Sequence, residues 1–339
     1  TSTDAATLGA FQLESLAEHN LLATASASAA VTASDLLINV GANYEVKGSF
    51  GSTTVNVAAG DDAKTVAQSF NLAAGTTGIT AAAITKAKIT SVSAETYSFT
   101  LKGKSSTAST VNATVTSATN LTALKDAINS VSGATGISAA LTEDLSGVNL
   151  VQQDGFDIIV GDVTSSGSGT MSLAAADKNG DVVQTTVALG GTTTLDSQVI
   201  IGQISLSSHK AFTVTSGNAA NHFATDTSAK TSTLSTMGAV DISSQTGATN
   251  ALSVIDGAIA MVSEIRSEMG AAENRLTSTV DNLSNVSVNT QRSLTAVEDA
   301  NFASETSALT KAQILQQAAT SMLAQANKAK QTMLVLLQG

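Results

Sequence analysis

From about Ala251 to Gly339, apolar residues recur at alternating steps of three and four. In the second half of this stretch Ala312, Leu315, Ala319, Met322, Ala326, Ala329, Met333 and Leu336 fall on one helix face. In the first half Leu252, Ile255, Ile259, Val262, Met269, Leu276, Val280 and Leu283 repeat the pattern, while Glu264, Arg266, Glu268, Glu273 and Arg275 mostly take the remaining positions. The spacing predicts two long helices, 241–300 and 301–339, carrying a coiled-coil-like seam. Neither stretch contains proline, and Gly257 and Gly270 each cost only about 1 kcal/mol in a helix interior. Residues 30–240 offer no helix of similar length, so the seam calls for cover from another subunit or another segment.

Upstream the period shifts towards two. Residues 1–34 read as a connector, a short helix around Leu13–Leu22 followed by the serine- and alanine-rich ASASAAVTAS. Two similar units follow, at 35–95 and 96–162. Val57 matches Val115, Val66 matches Leu124, Asn71 matches Asn129 and Gly78 matches Gly136, all at an offset of 58 residues. Each unit reads as a small β-α-β module. Its brief helix turns Ala63, Val66, Ala67 and Phe70, or Leu121, Leu124, Ala127 and Ile128, towards the strands. Beyond the glycine- and serine-rich SSGSG, a third β-rich outer region at 163–240 opens with a hairpin, for which Asn179-Gly180 would supply the positive φ angles of a two-residue turn. The fold class is α+β: long C-terminal coiled-coil-like helices with several small β-rich outer domains.

Composition narrows the chemistry. The chain has no cysteine, proline or tryptophan, only 13% charged and 3% aromatic residues, and a net charge of −11. Disulfides and thiolate metal sites are thereby excluded, and the charge argues against nucleic acid as a partner. The apolar run nearest to a bilayer span, MLVLLQ, is far too short to cross one. Asp177, Asn179 and Asp181 have the spacing that opens a calcium loop, but Ala188 stands where the bidentate glutamate belongs, so a plain turn is expected. His19, His209 and His222 are isolated and read as solvated surface residues. The sequence has no HExxH, no GxSxG and no phosphate-binding glycine loop, so no catalytic, cofactor or metal site is expected, nor an inserted hydrolase. Asn282 and Asn285 lie in N-x-S sequons within the predicted helix.

The C-terminal hundred residues resemble bacterial flagellin. The resemblance rests on MGAAENRLTSTVDNLSNVSVNTQRS and on VEDANFASETSALTKAQILQQAATSMLAQANKAKQTMLVLLQG, with QILQQA followed by MLAQAN the most specific part. In RSLTAVEDANFASE the family's arginine is displaced, while Glu298, Asp299, Ala300 and Glu305 keep its pattern. The repeats are similar to inserted β modules of flagellins. This resemblance implies a secreted, non-enzymatic subunit that self-assembles with copies of itself into the extracellular flagellar filament for motility. The last helix would line the inner tube, the preceding one would join an outer helical shell, and the β regions would project outwards. Export would use the type III route. An export chaperone on the C-terminal helix, and filament-cap and hook-junction proteins, are the implied partners, with no nucleic acid and no membrane insertion. The family's N-terminal helical segment is not among these residues, and Thr1–Leu22 reads as the point where it gives way to the middle domains. The alternative is a hook-filament junction or other hook-associated flagellar protein of low copy number.

Overall fold

The structure is a computed structural model that describes residues 8–15, 42–183, 186–191, 196–218, 223, 227–243, 245–337 and 339. Strand β1 spans Gly9–Glu14 and β2 Ala42–Lys47, followed by β3 (Ser52–Val57), helices α1 (Ala63–Leu72) and α2 (Ala74–Thr77), and the long β4 (Thr80–Thr90). The pattern then recurs as β5 (Thr96–Lys102), β6 (Ser109–Thr114), α3 (Thr122–Ser130), α4 (Ser132–Thr135) and β7 (Ile137–Leu141). Next come β8 (Val148–Gln152), β9 (Ile158–Ser165), β10 (Met171–Ala176), β11 (Val187–Leu189) and β12 (Gln198–Ile200). Finally β13 (Gln203–Ser208), β14 (Thr213–Ser216), β15 (Lys230–Thr231) and β16 (Thr233–Thr236) precede helix α5 (Gln245–Leu337). The fold is α+β. Because β1 occupies Gly9–Glu14, Leu13 lies in a strand and not in the expected helix; the rest of that helix, from residue 16, falls outside the described residues.

The repeat is built by the same contacts twice. In the first unit Asn71 takes the backbone N–H of Ala81 on its Oδ1 and donates Nδ2 to the Ala81 carbonyl; Asn129 does the same with Ala139. The hydroxyl of Thr77 donates to the Ala73 carbonyl and accepts from Ile79 N–H, and Thr135 repeats this with Val131 and Ile137. Between helix and strand the chain turns through the left-handed region, at φ 74° in Gly78 and 71° in Gly136, which is why both units keep glycine there. Ala63, Val66, Ala67 and Phe70 are buried on α1, and Leu121, Leu124 and Ile128 in the second unit. Each unit is therefore ββαβ, a hairpin followed by a helix and a further strand.

The strand pairings show that the second unit is nested inside the first. Strand β7 pairs antiparallel with β8, and β5 pairs with both β6 and β9, so the second unit is completed by the strands that directly follow it. In the first unit the corresponding partners of β4 and β2 are β13 and β14, which arrive only after β5–β12. Strand β4 is long enough to serve both: Thr80–Ile84 pair with β13, and the following residues pair with β8 on one side and β10 on the other. Strands of the stretch 163–240 are thus distributed between the two units. Each unit has its own core, the first around Tyr44, Phe70 and Phe223, whose ring centroids lie 5.6–5.9 Å apart, and the second around Tyr97, Phe99, Leu124 and Leu150.

The β10–β11 hairpin is confirmed, but its turn differs from the expected one. Only Gly180 takes a positive φ, of 90°, and the Asp177 carboxylate accepts the backbone N–H groups of Asn179 and Asp181. The carboxylate is thereby committed to the turn, in keeping with a plain turn and not a calcium loop. His209 is also not a solvated surface residue: its Nε2 lies 3.4 Å from Glu264 and its ring centroid 5.8 Å from that of Phe50. His19 and His222 lie outside the described residues.

Candidate assembly surface

The two predicted C-terminal stretches are one continuous helix, α5, without a break at residues 300–301. The absence of proline and the abundance of alanine, glutamine and leucine allow this. Many of its serines and threonines bond inwards: Thr279, Thr290, Thr295, Thr306, Ser307 and Thr310 each donate the hydroxyl to the carbonyl four residues back. Such hydroxyls can enter a packed interface without leaving an unpaired donor.

The chain divides into two compact units, Thr1–Ile265 and Arg266–Gly339. Within the first, the opening turns of α5 bury Ala251, Val254 and Ala258. Gly257 lies against β1, where an added Cβ would stand 2.5 Å from Ala10 Cβ, and Ser253 accepts a 2.7 Å hydrogen bond from Gln12. Glu264 pairs with Lys210 and faces His209. The buried face is rotated by one residue from the predicted seam, so Leu252, Ile255 and Ile259 remain exposed and Val262 is half-buried. The missed signal was the row of small residues around Gly257, which permits close approach without scoring as strongly apolar.

In the second unit every residue described from Ala271 to Leu334 is exposed. Leu276, Leu283, Leu315, Met322 and Met333 are each at least 60% exposed, and Ala312, Ala319, Ala326 and Ala329 are exposed beside them. The side chain of Leu336 lies outside the described residues. The structure thus brings the seam residues onto one helix and leaves those described from Leu276 to Met333 uncovered. Asn282 and Asn285 are exposed on the same helix. By length and composition α5 reaches the threshold for a membrane span, with a mean hydropathy of 1.2 in its most apolar window, where the sequence reading finds no run long enough. A single helix at that threshold, dotted with asparagine, glutamine, serine and threonine, is weak support for a bilayer. No group of three or more metal-ligating side chains occurs among the described residues.

Comparison with known proteins finds relatives of this helix and of the second β unit. Residues 252–337 match the bacterial flagellin C-terminal helical region, and residues 98–154 match the flagellin hook IN motif. The B-type flagellin of Pseudomonas aeruginosa is 32% identical over 83% of this chain and 57% of its own length. Flagellin A of Vibrio cholerae is 46% identical over 29% of this chain and 26% of its own. The chain therefore spans a little over half of the first relative and about a quarter of the second. Among solved structures, the flagellar cap protein FliD of Helicobacter pylori covers 54% of this chain and 60% of its own at 15% identity, with a TM-score of 0.20, too low to bear on the fold. The chain thus carries the C-terminal helical region and the hook IN motif of bacterial flagellins and is similar to a flagellin over most of its residues.

Proposed function

We propose that the chain is a structural subunit of a bacterial flagellar filament, secreted and assembled outside the cell with copies of itself, and not an enzyme. The observation that carries this reading is the uncovered seam on α5: Leu276, Leu283, Leu315, Met322 and Met333 all face solvent. Each large apolar side chain that becomes fully buried contributes about 1.5–3 kcal/mol, so a helix of this length is driven to find neighbouring helices. The residues after about 300 supply an inner helical layer, those before it an outer one, and the two nested β units project from the surface. An export chaperone covering Leu315, Met322, Met333 and Leu336 before assembly, and cap and hook-junction proteins at the filament ends, are the further partners of this reading.

The test is to introduce Leu315→Asp and Met322→Asp into the protein in its source bacterium. An unpaired carboxylate in a packed helical layer costs roughly 3–5 kcal/mol per subunit. Filaments should be absent by electron microscopy while the secreted or cytosolic protein keeps the β-sheet circular dichroism of its folded units. Filaments of normal length from both variants would refute the assignment of the seam.

A further inference from the structure

The turn between β10 and β11 holds the one Asn-Gly step of this sequence, Asn179-Gly180. Asn179 is exposed, Gly180 stands at φ 90°, and a Cβ built on Gly180 would meet nothing within 4 Å. An asparagine followed by glycine carries its own nucleophile. The backbone nitrogen of the next residue reaches the side-chain carbonyl carbon, and glycine has no side chain to shield that nitrogen or to restrict its backbone. The frame around the pair is fixed: Asp177 donates its N–H to the Asp181 carbonyl at 2.9 Å, Lys178 donates its own to Gln203 Oε1 at 2.7 Å, and Asp177 Oδ1 accepts the Asn179 N–H at 2.8 Å.

Both ends of the Asn179 side-chain amide are also engaged. Asn250, in the opening turns of α5, donates Nδ2 to Asn179 Oδ1 at 3.2 Å, and Asn179 Nδ2 donates to Asp177 Oδ2 at 3.2 Å. The first of these bonds bears on reactivity. Attack at the side-chain carbonyl carbon drives negative charge onto Oδ1, and a donor already aimed at that oxygen favours the transition state over the resting amide. The Gly180 N–H is bonded to the Asp177 carbonyl at 2.9 Å, and releasing it is the local opening that the step requires.

We propose that Asn179 is a self-modifying site, which deamidates without an enzyme and with the help of Asn250. Hydroxide takes the proton from the Gly180 nitrogen, that nitrogen forms a bond to Asn179 Cγ, and the bond from Cγ to Nδ2 breaks to release ammonia and leave a cyclic imide. Water then opens the imide at either carbonyl, giving aspartate or isoaspartate. The net change is ammonia lost, water gained and one negative charge added, with nothing oxidised or reduced. In the aspartate product a carboxylate stands where the amide now donates to Asp177, so a hydrogen bond becomes a repulsion. In the isoaspartate product the backbone gains a methylene and the turn is undone. Either product loosens the turn against which Asn250 seats the start of α5 within the first compact unit. The inference goes beyond the filament reading and does not depend on it.

The experiment is incubation of the full chain in mildly alkaline buffer, folded and in urea, followed by peptide mapping with mass spectrometry, for the wild type, Asn250→Ala and Gly180→Ala. In the folded wild type, aspartate and isoaspartate should accumulate at position 179 ahead of every other asparagine. Asn250→Ala should slow this roughly two- to tenfold in the folded chain, the worth of one neutral hydrogen bond to the transition state. It should leave the rate in urea unchanged, because Asn250 meets Asn179 only in the fold. Gly180→Ala should slow the reaction in both states; if that variant fails to fold, the folded and urea rates of Asn250→Ala carry the test. Asn179→Asp should lower the unfolding midpoint of the first compact unit by about 1–3 °C. An Asn179 that stays intact in the folded chain while it deamidates in urea, or a folded rate undiminished in Asn250→Ala, would overturn the proposal.

Discussion

At the scale of single residues the repeat is a set of equivalent demands on geometry. Gly78 and Gly136 occupy the same left-handed turn, so alanine at either position should cost roughly 1–2 kcal/mol, read as a lower denaturation midpoint of comparable size in the two variants. A wild-type midpoint in Gly136→Ala would mean that the turn is not held in that conformation. Asp144 illustrates a residue governed by local bonds. Ser146 above all, then Thr142, donate hydroxyl hydrogen bonds to its carboxylate and hold its pKa at about 2, below the ordinary 3.8. Because the folded value is the lower one, the turn's contribution is present above the ordinary carboxylate pKa and is lost as pH falls through about 2. Carboxyl NMR should give Asp144 a midpoint near 2, and Ser146→Ala should move it back towards 3.8; a wild-type midpoint already near 3.8 would remove the two hydroxyl bonds from the account.

At the scale of elements, what could be read from the sequence was what depends on neighbours along the chain. The 3-and-4 spacing from Leu252 to Leu336 marks these residues as helical, though as two helices and not the single α5, and the offset of 58 residues identifies the two units and the buried faces of α1 and α3. The return of β13 and β14 to the first unit was not legible, because it joins residues more than a hundred positions apart, and a period of two does not say which strands pair. The buried face at the start of α5 was misjudged by one residue for a related reason. Alanine and glycine there are chosen for how closely they let the helix approach β1, which a pattern of large apolar residues does not record. Gly257→Leu should therefore force the helix off Ala10 and destabilise the first compact unit by about 1–3 kcal/mol, measured as a drop in its unfolding midpoint. Gly270→Leu, where nothing stands within 4 Å of the added Cβ, should not do so. Equal behaviour of the two variants would argue against the close contact.

At the scale of the whole molecule the sequence combines well-buried β units with a helix whose apolar residues beyond Ala271 are exposed. A helix without a covered face is marginal in water, so ordering of the residues beyond Ile265 and association of subunits are expected to be coupled. The most direct test of that claim is amide hydrogen exchange on residues 271–334, compared between the free protein and the assembled filament. The account predicts rapid exchange throughout this segment in the free protein, and strong protection in the filament centred on Leu315, Met322 and Met333, with the β units equally protected in both. Protection of the segment already in the free protein, or continued rapid exchange once assembled, would contradict it.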